Sequence, residues 1–220
     1  PNAPNHTNTT FSYSCTTPDP GGTGNVANNP QFVDAGAGNY RLAAGSPCIN
    51  AGDNDAVLDD ADLDGNPRIA LGHPFGRVDM GAYEFASVFR YVATSGSDAA
   101  AGTNWATAMQ TIQAAVDAAN AWDMVWVSNG IYAAGGRAVY GGMTNRVAID
   151  KPLVVMGLTD SGGTVIQGRQ DPATTNGDAA VRCAYVGTNA LLANFVLAGG
   201  ATRASGAAAE RCGGGAWCED

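Results

Sequence analysis

Lysine is nearly missing from this sequence: Lys151 is the only one among 220 residues. With 11 basic against 20 acidic side chains and a formal charge of −9, the chain has no cationic array. That argues against nucleic acid and anionic membrane surfaces as partners, because both are held through clustered Lys and Arg. No run of about 18 apolar residues occurs, so nothing reads as a membrane-spanning helix. The five cysteines, Cys15, Cys48, Cys183, Cys212 and Cys218, form no CxxC pair, which weighs against zinc ribbons and thioredoxin-type chemistry. Histidine is equally scarce. His6 and His73 stand alone, without the neighbouring His or Cys that a metal set needs. Ser46 lies in Gly45-Ser46-Pro47 rather than a GxSxG elbow, and Gly213-Gly214-Gly215 is not followed by Lys-Ser/Thr, so it is no phosphate loop.

Only 14% of the residues are charged, while glycine occurs 30 times. Helical domains carry more charge and less glycine, so β-structure with many tight turns is expected. The acidity is uneven. Residues up to Ala86 hold 3 basic and 10 acidic side chains, a net of −7, and the remainder holds 8 and 10, a net of −2. A domain boundary near Ser87 is expected, dividing the chain into 1–87 and 88–220.

The first half is rich in Asn, Gly, Pro and Asp and has little periodicity. The second opens with the alternating stretch Phe89 to Thr94, a strand signal. Ala108, Ile112, Ala115, Val116 and Ala119 then fall at helical spacing, with Asn104 as candidate N-cap. Short apolar runs follow, separated by Gly, Asn and Asp: Met124 to Val127, Val147 to Ile149, Leu153 to Met156, Val165-Ile166, Val181 to Val186, and Leu191 to Leu197. Many short strands at regular intervals fit a sandwich, a barrel or a solenoid, and glycine at turn after turn favours the solenoid.

Particular segments resemble a known family. YVATSGSD from Tyr91, TIQAAVDAA from Thr111, DMVWVSNGIY from Asp123, IDKPLVVMG from Ile149, TVIQG from Thr164 and CGGGAWC from Cys212 resemble the start of right-handed parallel β-helix proteins. These belong to the pectin-lyase-like superfamily of bacterial surfaces. NPQFVDAGAGNYRLAAGSPCINAGD from Asn29, DLDGNPRI from Asp62 and VDMGAYEF from Val78 resemble the choice-of-anchor module that closes such proteins. The resemblance implies an all-β fold: an irregular β/loop closing module in the first half, and a capping helix with the first coils, of roughly twenty to thirty residues, in the second. In the family the closing module comes last, whereas here it comes first. The chain is therefore expected to be a window on a tandem array, or one subunit of an assembly. A β-helix end presents unpaired backbone groups that template association. Head-to-tail stacking of copies, through a heterologous contact that does not close, is the expected partnership.

Six aspartates fall between Asp53 and Asp64, and Asp60, Asp62 and Asp64 alternate before Gly65 as the opening of a calcium loop does. The EF-hand spacing fails, because its twelfth position is Leu71 rather than Glu. Asp60, Asp62 and Asp64 are candidate Ca²⁺ ligands against the alternative of an Asp-rich surface turn. No other cofactor is expected. Asp79 and Glu84, with Arg68 and Arg77 nearby, read as ion pairs that pin the closing strand rather than as a catalytic pair. Asp150, Lys151, Asp160, Arg169 and Asp171 sit at turns, not along one face, so a polysaccharide-active site is not expected. Trp105, Trp122, Trp126 and Trp217 read as core or cap residues, with sugar stacking as the alternative. Asn5 and Asn8 are candidate glycosylation acceptors. Cys15 with Cys48, and Cys212 with Cys218 or Cys183, are candidate disulfides, and the connectivity stays open. An oxidising, extracellular setting is expected. The expected function is a non-catalytic structural or adhesive unit of a surface fibre, with binding or processing of surface glycans as the competitor.

Overall fold

The computed structural model describes residues 9–69, 76–158 and 163–219. The chain divides between Ala86 and Ser87 into two compact units. It is mostly β, with few helices and with parallel sheets in the second unit.

The first unit is largely loop. A hairpin pairs β1 (Phe32–Asp34) antiparallel with β2 (Asn39–Leu42). The connecting turn is closed by the Asp34 carboxylate, which accepts from the Ala37 N–H at 3.0 Å, and by Gly38 at φ 78°. Leu42, Cys48, Ile49 and Val78 are its buried apolar residues. Two backbone bonds join their segments: Gly52 N–H to Val78 O at 2.7 Å and Met80 N–H to Cys48 O at 2.9 Å. A side chain at position 52 would meet the Val78 carbonyl within 2.7 Å, which is why glycine stands there.

In the second unit the strands form three sheets. One is parallel: β3 (Phe89–Val92), β4 (Met124–Val127), β8 (Val154–Gly157) and β11 (Leu191–Ala193), adjacent in that order. The second is also parallel: β5 (Gly130–Tyr132), β9 (Thr164–Gln167) and β12 (Val196–Ala198). In the third, β7 (Thr144–Ile149), β10 (Val181–Val186) and β13 (Ala216–Cys218) are parallel, and the two-residue β6 (Arg137–Ala138) lies antiparallel on β7. From β4 onward the chain visits the first, second and third sheets in rotation, three times over, with β6 as an added edge piece.

Register shows the repeat. Met124 pairs with Val154, and Val154 with Leu191, offsets of 30 and 37 residues. The first lies at the upper end of the expected twenty to thirty, and the second exceeds it. The longer one contains residues 170–180, an excursion pinched off by the Arg169–Val181 and Asp171–Thr175 bridges. Inside, Val92, Val125, Val127, Val147, Ile149, Leu153, Val155 and Ile166 form one continuous core.

Two local expectations are corrected. The helix α1 spans Ile112–Ala118 and is capped by Thr111, whose hydroxyl accepts from the Ala114 N–H; Asn104 instead caps a 3₁₀ turn at Trp105–Thr107. Ala108, at ψ 145°, breaks the helical path between them, yet it remains buried with the rest of the apolar stripe. The run Leu191 to Leu197 is two strands of different sheets, not one. Asn194 takes a left-handed φ of 64° and turns the corner between β11 and β12, a conformation that asparagine tolerates better than most residues.

Candidate functional site

The two ends of the strand stack differ. At the β3 end the outer edges of β3 and β7 have substitute partners. The outer edge of β3 is bonded by the preceding loop: Tyr91 N–H to Gly102 O and Met109 N–H to Tyr91 O, both at 2.8 Å, and Ala93 N–H to Met109 O at 2.9 Å. On β7 the edge is met by α1. Gln113, buried, accepts from the Ala148 N–H at 2.7 Å and donates to the Ala148 carbonyl at 3.3 Å, so one amide side chain imitates a neighbouring strand. The helix's own C-terminal carbonyls are closed by cations, Arg90 on Ala118 O and Lys151 on Ala119 O, where positive charge complements the helix dipole.

At the other end, β11, β12 and β13 are each the last strand of their sheets, and among the described residues no strand lies beyond them. The inward ladder Val125–Val155–Leu192 makes the consequence visible. Val125 and Val155 are fully buried, but Leu192 is only partly so. Val196 on β12 is 56% exposed. Unpaired strand edges backed by a half-covered core are a surface that favours addition of another strand.

Arg182 supports this end from within. It is buried, and its guanidinium donates to the carbonyls of Gly213, Ala209 and Cys212 and to Asn145 Oδ1. It thereby closes the C-terminus of α2 (Ala208–Arg211) and leads the chain into β13. Trp217 lies 5.8 Å from this guanidinium, an arrangement that favours a cation over an aromatic face. Sequence reasoning passed over Arg182 and Gln113 because a buried Arg or Gln in a strand or helix looks like any surface residue until the fold encloses it.

In the first unit the acidic motifs form a knot of carboxylates and backbone N–H groups. Asp62 accepts from the N–H groups of Asp64, Asn66 and Glu84 and from Asn66 Nδ2, at 2.7 to 3.0 Å. Burial pushes this carboxyl up, but those four donors outweigh it and hold it at about 2. Asp79 accepts from the N–H groups of Asn50 (2.7 Å) and Phe85 (2.6 Å). Glu84 accepts from the Asp79 N–H and pairs with Arg68 at 3.0 Å. Burial raises Asp79 to about 6, and burial with the neighbouring Asp79 charge raises Glu84 to about 7. Every oxygen of Asp79 is spent on backbone, so this pair locks loops together instead of presenting an acid and a base. Among the described residues Arg77 has no ion pair: it donates to Gly52 O and lies 5.2 Å from the Tyr13 ring.

The candidate calcium ligands are not brought to one point. Asp62 is filled by its N–H donors, Asp64 is clasped by the Arg41 guanidinium, and Asp60 remains on the surface. Among the described residues no three His, Cys, Asp or Glu side chains converge as a metal set. The residues weighed for sugar chemistry also stay apart. Asp150 pairs with Arg137 at 2.6 Å, Arg169 closes onto Ala179 O, and Asp171 staples its own turn through the N–H groups of Ala173 and Ala179. Ser46 is buried, donating to Pro30 O and accepting from Cys48 N–H. His6, His73, Asn5, Asn8 and Asp160 lie outside the described residues. All five cysteines are free thiols; Cys48 and Cys183 are buried, and the Cys15 thiol donates to Asn28 O at 3.3 Å.

The aromatic residues divide. Trp105 is 45% exposed and stands edge-on to Tyr91 with centroids 4.8 Å apart. In register, Tyr91 is followed by Trp126 and then Met156. These side chains lie on the outer face of the first sheet, since Val92, Val125 and Val127 fill the inner one.

No protein-family model and no curated protein matches the chain. Among solved structures a rhamnogalacturonan lyase is similar, with a TM-score of 0.39 and 19% identity, over 49% of this chain and 27% of that one. The chain thus spans well under half of that structure's length.

Proposed function

We propose that this chain is a non-catalytic structural unit of an extracellular fibre or surface protein. In this reading the second unit is the opening of a right-handed parallel β-helix, the first is a closing module, and units join end to end. The strict rotation of strands through three sheets supports the β-helix. The observation that supports the assembly is the asymmetry of the stack: the outer edges of β3 and β7 are bonded by the Gly102–Met109 loop and by Gln113 of α1, while among the described residues no strand lies beyond β11, β12 and β13. A sealed end blocks growth and an open one invites it, so propagation is polar. The occupant of the open end is the N-terminal part of the next copy, whether linked covalently or not.

Light scattering coupled to size exclusion, from micromolar to near-millimolar protein, tests this. Mass rising with concentration beyond the 22.3 kDa protomer, with linear particles by electron microscopy, is the expected result. A single 22.3 kDa species at every concentration would end the proposal.

A second reading has its own observation. The outward row Trp105, Tyr91, Trp126 suits stacking on sugar faces, which would make the surface a glycan-binding one. Retention on a glycan array by the wild type but not by Trp105→Ala would select it.

A further inference from the structure

Leu58 and Leu63 are the most exposed large apolar side chains among the described residues, at 95% and 73%. Both line one cleft of about 520 Å³ in the first unit, together with Tyr13, Val57 and Met80. Single leucines in water are ordinary, but two around one cleft mark a contact surface. The loop that carries them is held at both ends. Asn54 donates from Nδ2 to Gly76 O at 2.6 Å and accepts from the Val78 N–H at 2.8 Å. Asp62 is fixed by its N–H donors, and Leu63 N–H donates to Ala82 O at 3.2 Å. Between these anchors Val57 is extended, and among the described residues Leu58 and Asp59 make no hydrogen bond. A held, extended segment with free backbone groups can pair with a strand edge.

The outer strands of the stack offer a matching surface. Leu192 and Leu197 pair in register with Val155 and Ile166, which are fully buried, yet Leu192 is only half-covered and Leu197 is exposed. Arg211, on the link between β12 and β13, is exposed and has no ion pair among the described residues. On the 57–63 loop Asp59 and Asp60 are exposed carboxylates, likewise without an ion pair among the described residues. Each surface thus carries uncovered leucines, and their free charges are opposite. We infer that the 57–63 loop is the surface that another copy of this chain presents to the outer strands. Leu58 and Leu63 cover Leu192 and Leu197, the free backbone of Leu58 and Asp59 pairs with an outer strand, and Asp59 and Asp60 meet Arg211. The inference rests on the end-to-end assembly proposed above and names the two faces of that contact. Because the faces differ, the contact is heterologous and repeats without closing.

Light scattering of the full chain over a concentration series, with the melting temperature of each variant measured alongside, is the test. Leu58→Ser combined with Leu63→Ser should melt as the wild type does, since both side chains stand in water. It should raise the concentration for half-assembly about thirtyfold or more, because two leucines no longer leave water on contact. Arg211→Glu should raise that concentration about tenfold by setting like charges against each other. Adding Asp59→Arg and Asp60→Arg to Arg211→Glu exchanges the charges and keeps them complementary, so assembly should return to within about threefold of wild type. Wild type and the double-serine variant assembling equally would overturn the inference and leave end-to-end joining by another face. An exchanged-charge variant that melts normally but assembles no better than Arg211→Glu would overturn it too. Wild type that stays at 22.3 kDa throughout would instead remove the assembly itself.

Discussion

Asp79 and Glu84 show how a carboxyl serves a fold through its backbone partners. Asp79 is buried and Glu84 half-buried, both accept backbone N–H bonds that tie their loops together, and Arg68 pairs with Glu84. Their raised values, about 6 and about 7, mean that the native state holds more protons than the unfolded chain between roughly pH 4 and 7. Stability of the first unit therefore falls as pH rises through that window, by on the order of 3 kcal/mol. Asp62, held at about 2, acts in the opposite sense: its contribution is complete above about pH 4 and is lost as pH falls toward 2. The first unit should be most stable near pH 4 to 5. Urea unfolding from pH 3 to 8 would show this, and Glu84→Gln should flatten the alkaline side. The VDMGAYEF stretch made an Arg–carboxylate lock legible, because opposite charges stood close together. Which arginine forms it was not, since Arg68 and Arg77 differ only in what the fold places opposite them.

At the scale of elements, α1 is a short helix made necessary by the edge it covers. Seven residues are too few to hold a helix by propensity, so its stability comes from burying Ile112, Ala115 and Val116 and from Gln113 on Ala148. Gln113→Ala should cost about 2 kcal/mol, because it leaves a buried N–H and C=O without partners as well as removing two bonds. Hydrogen exchange at the Ala148 amide would report the same change locally, and unchanged protection there would contradict the role assigned to Gln113. The alanine-rich stripe at 108–119 was readable as one buried face because apolar spacing survives whether the backbone is helical throughout or not. The true start at Ile112 was hidden because Asn104 and Thr111 are both good caps, and the extended Ala108 separates their turns.

For the molecule as a whole, the proposed assembly turns on the outer strands β11, β12 and β13. Val196 is both exposed and on the outermost strand of its sheet. Val196→Lys introduces a charge of the kind that protects natural sheet edges. If assembly proceeds through β12, this substitution should shift the concentration for half-assembly upward about tenfold or more, a change worth about 1.4 kcal/mol, with the protomer's melting temperature unchanged. Equal assembly of wild type and Val196→Lys in light scattering would place the contact elsewhere.

Composition and local pattern alone determined that this chain is β-rich, poor in cationic surface, divided in character near residue 87, and built in its second half from short strands around one helix. Those properties follow from turn residues, apolar alternation and charge counts, which act within a few residues of one another. Tertiary structure decided the rest: that Leu191 to Leu197 serves two sheets, that Asp62 also holds the Glu84 N–H, and that Gln113 stands in for a strand beside Ala148. Each of these depends on residues more than twenty positions apart, brought together by an arrangement that no local signal specifies.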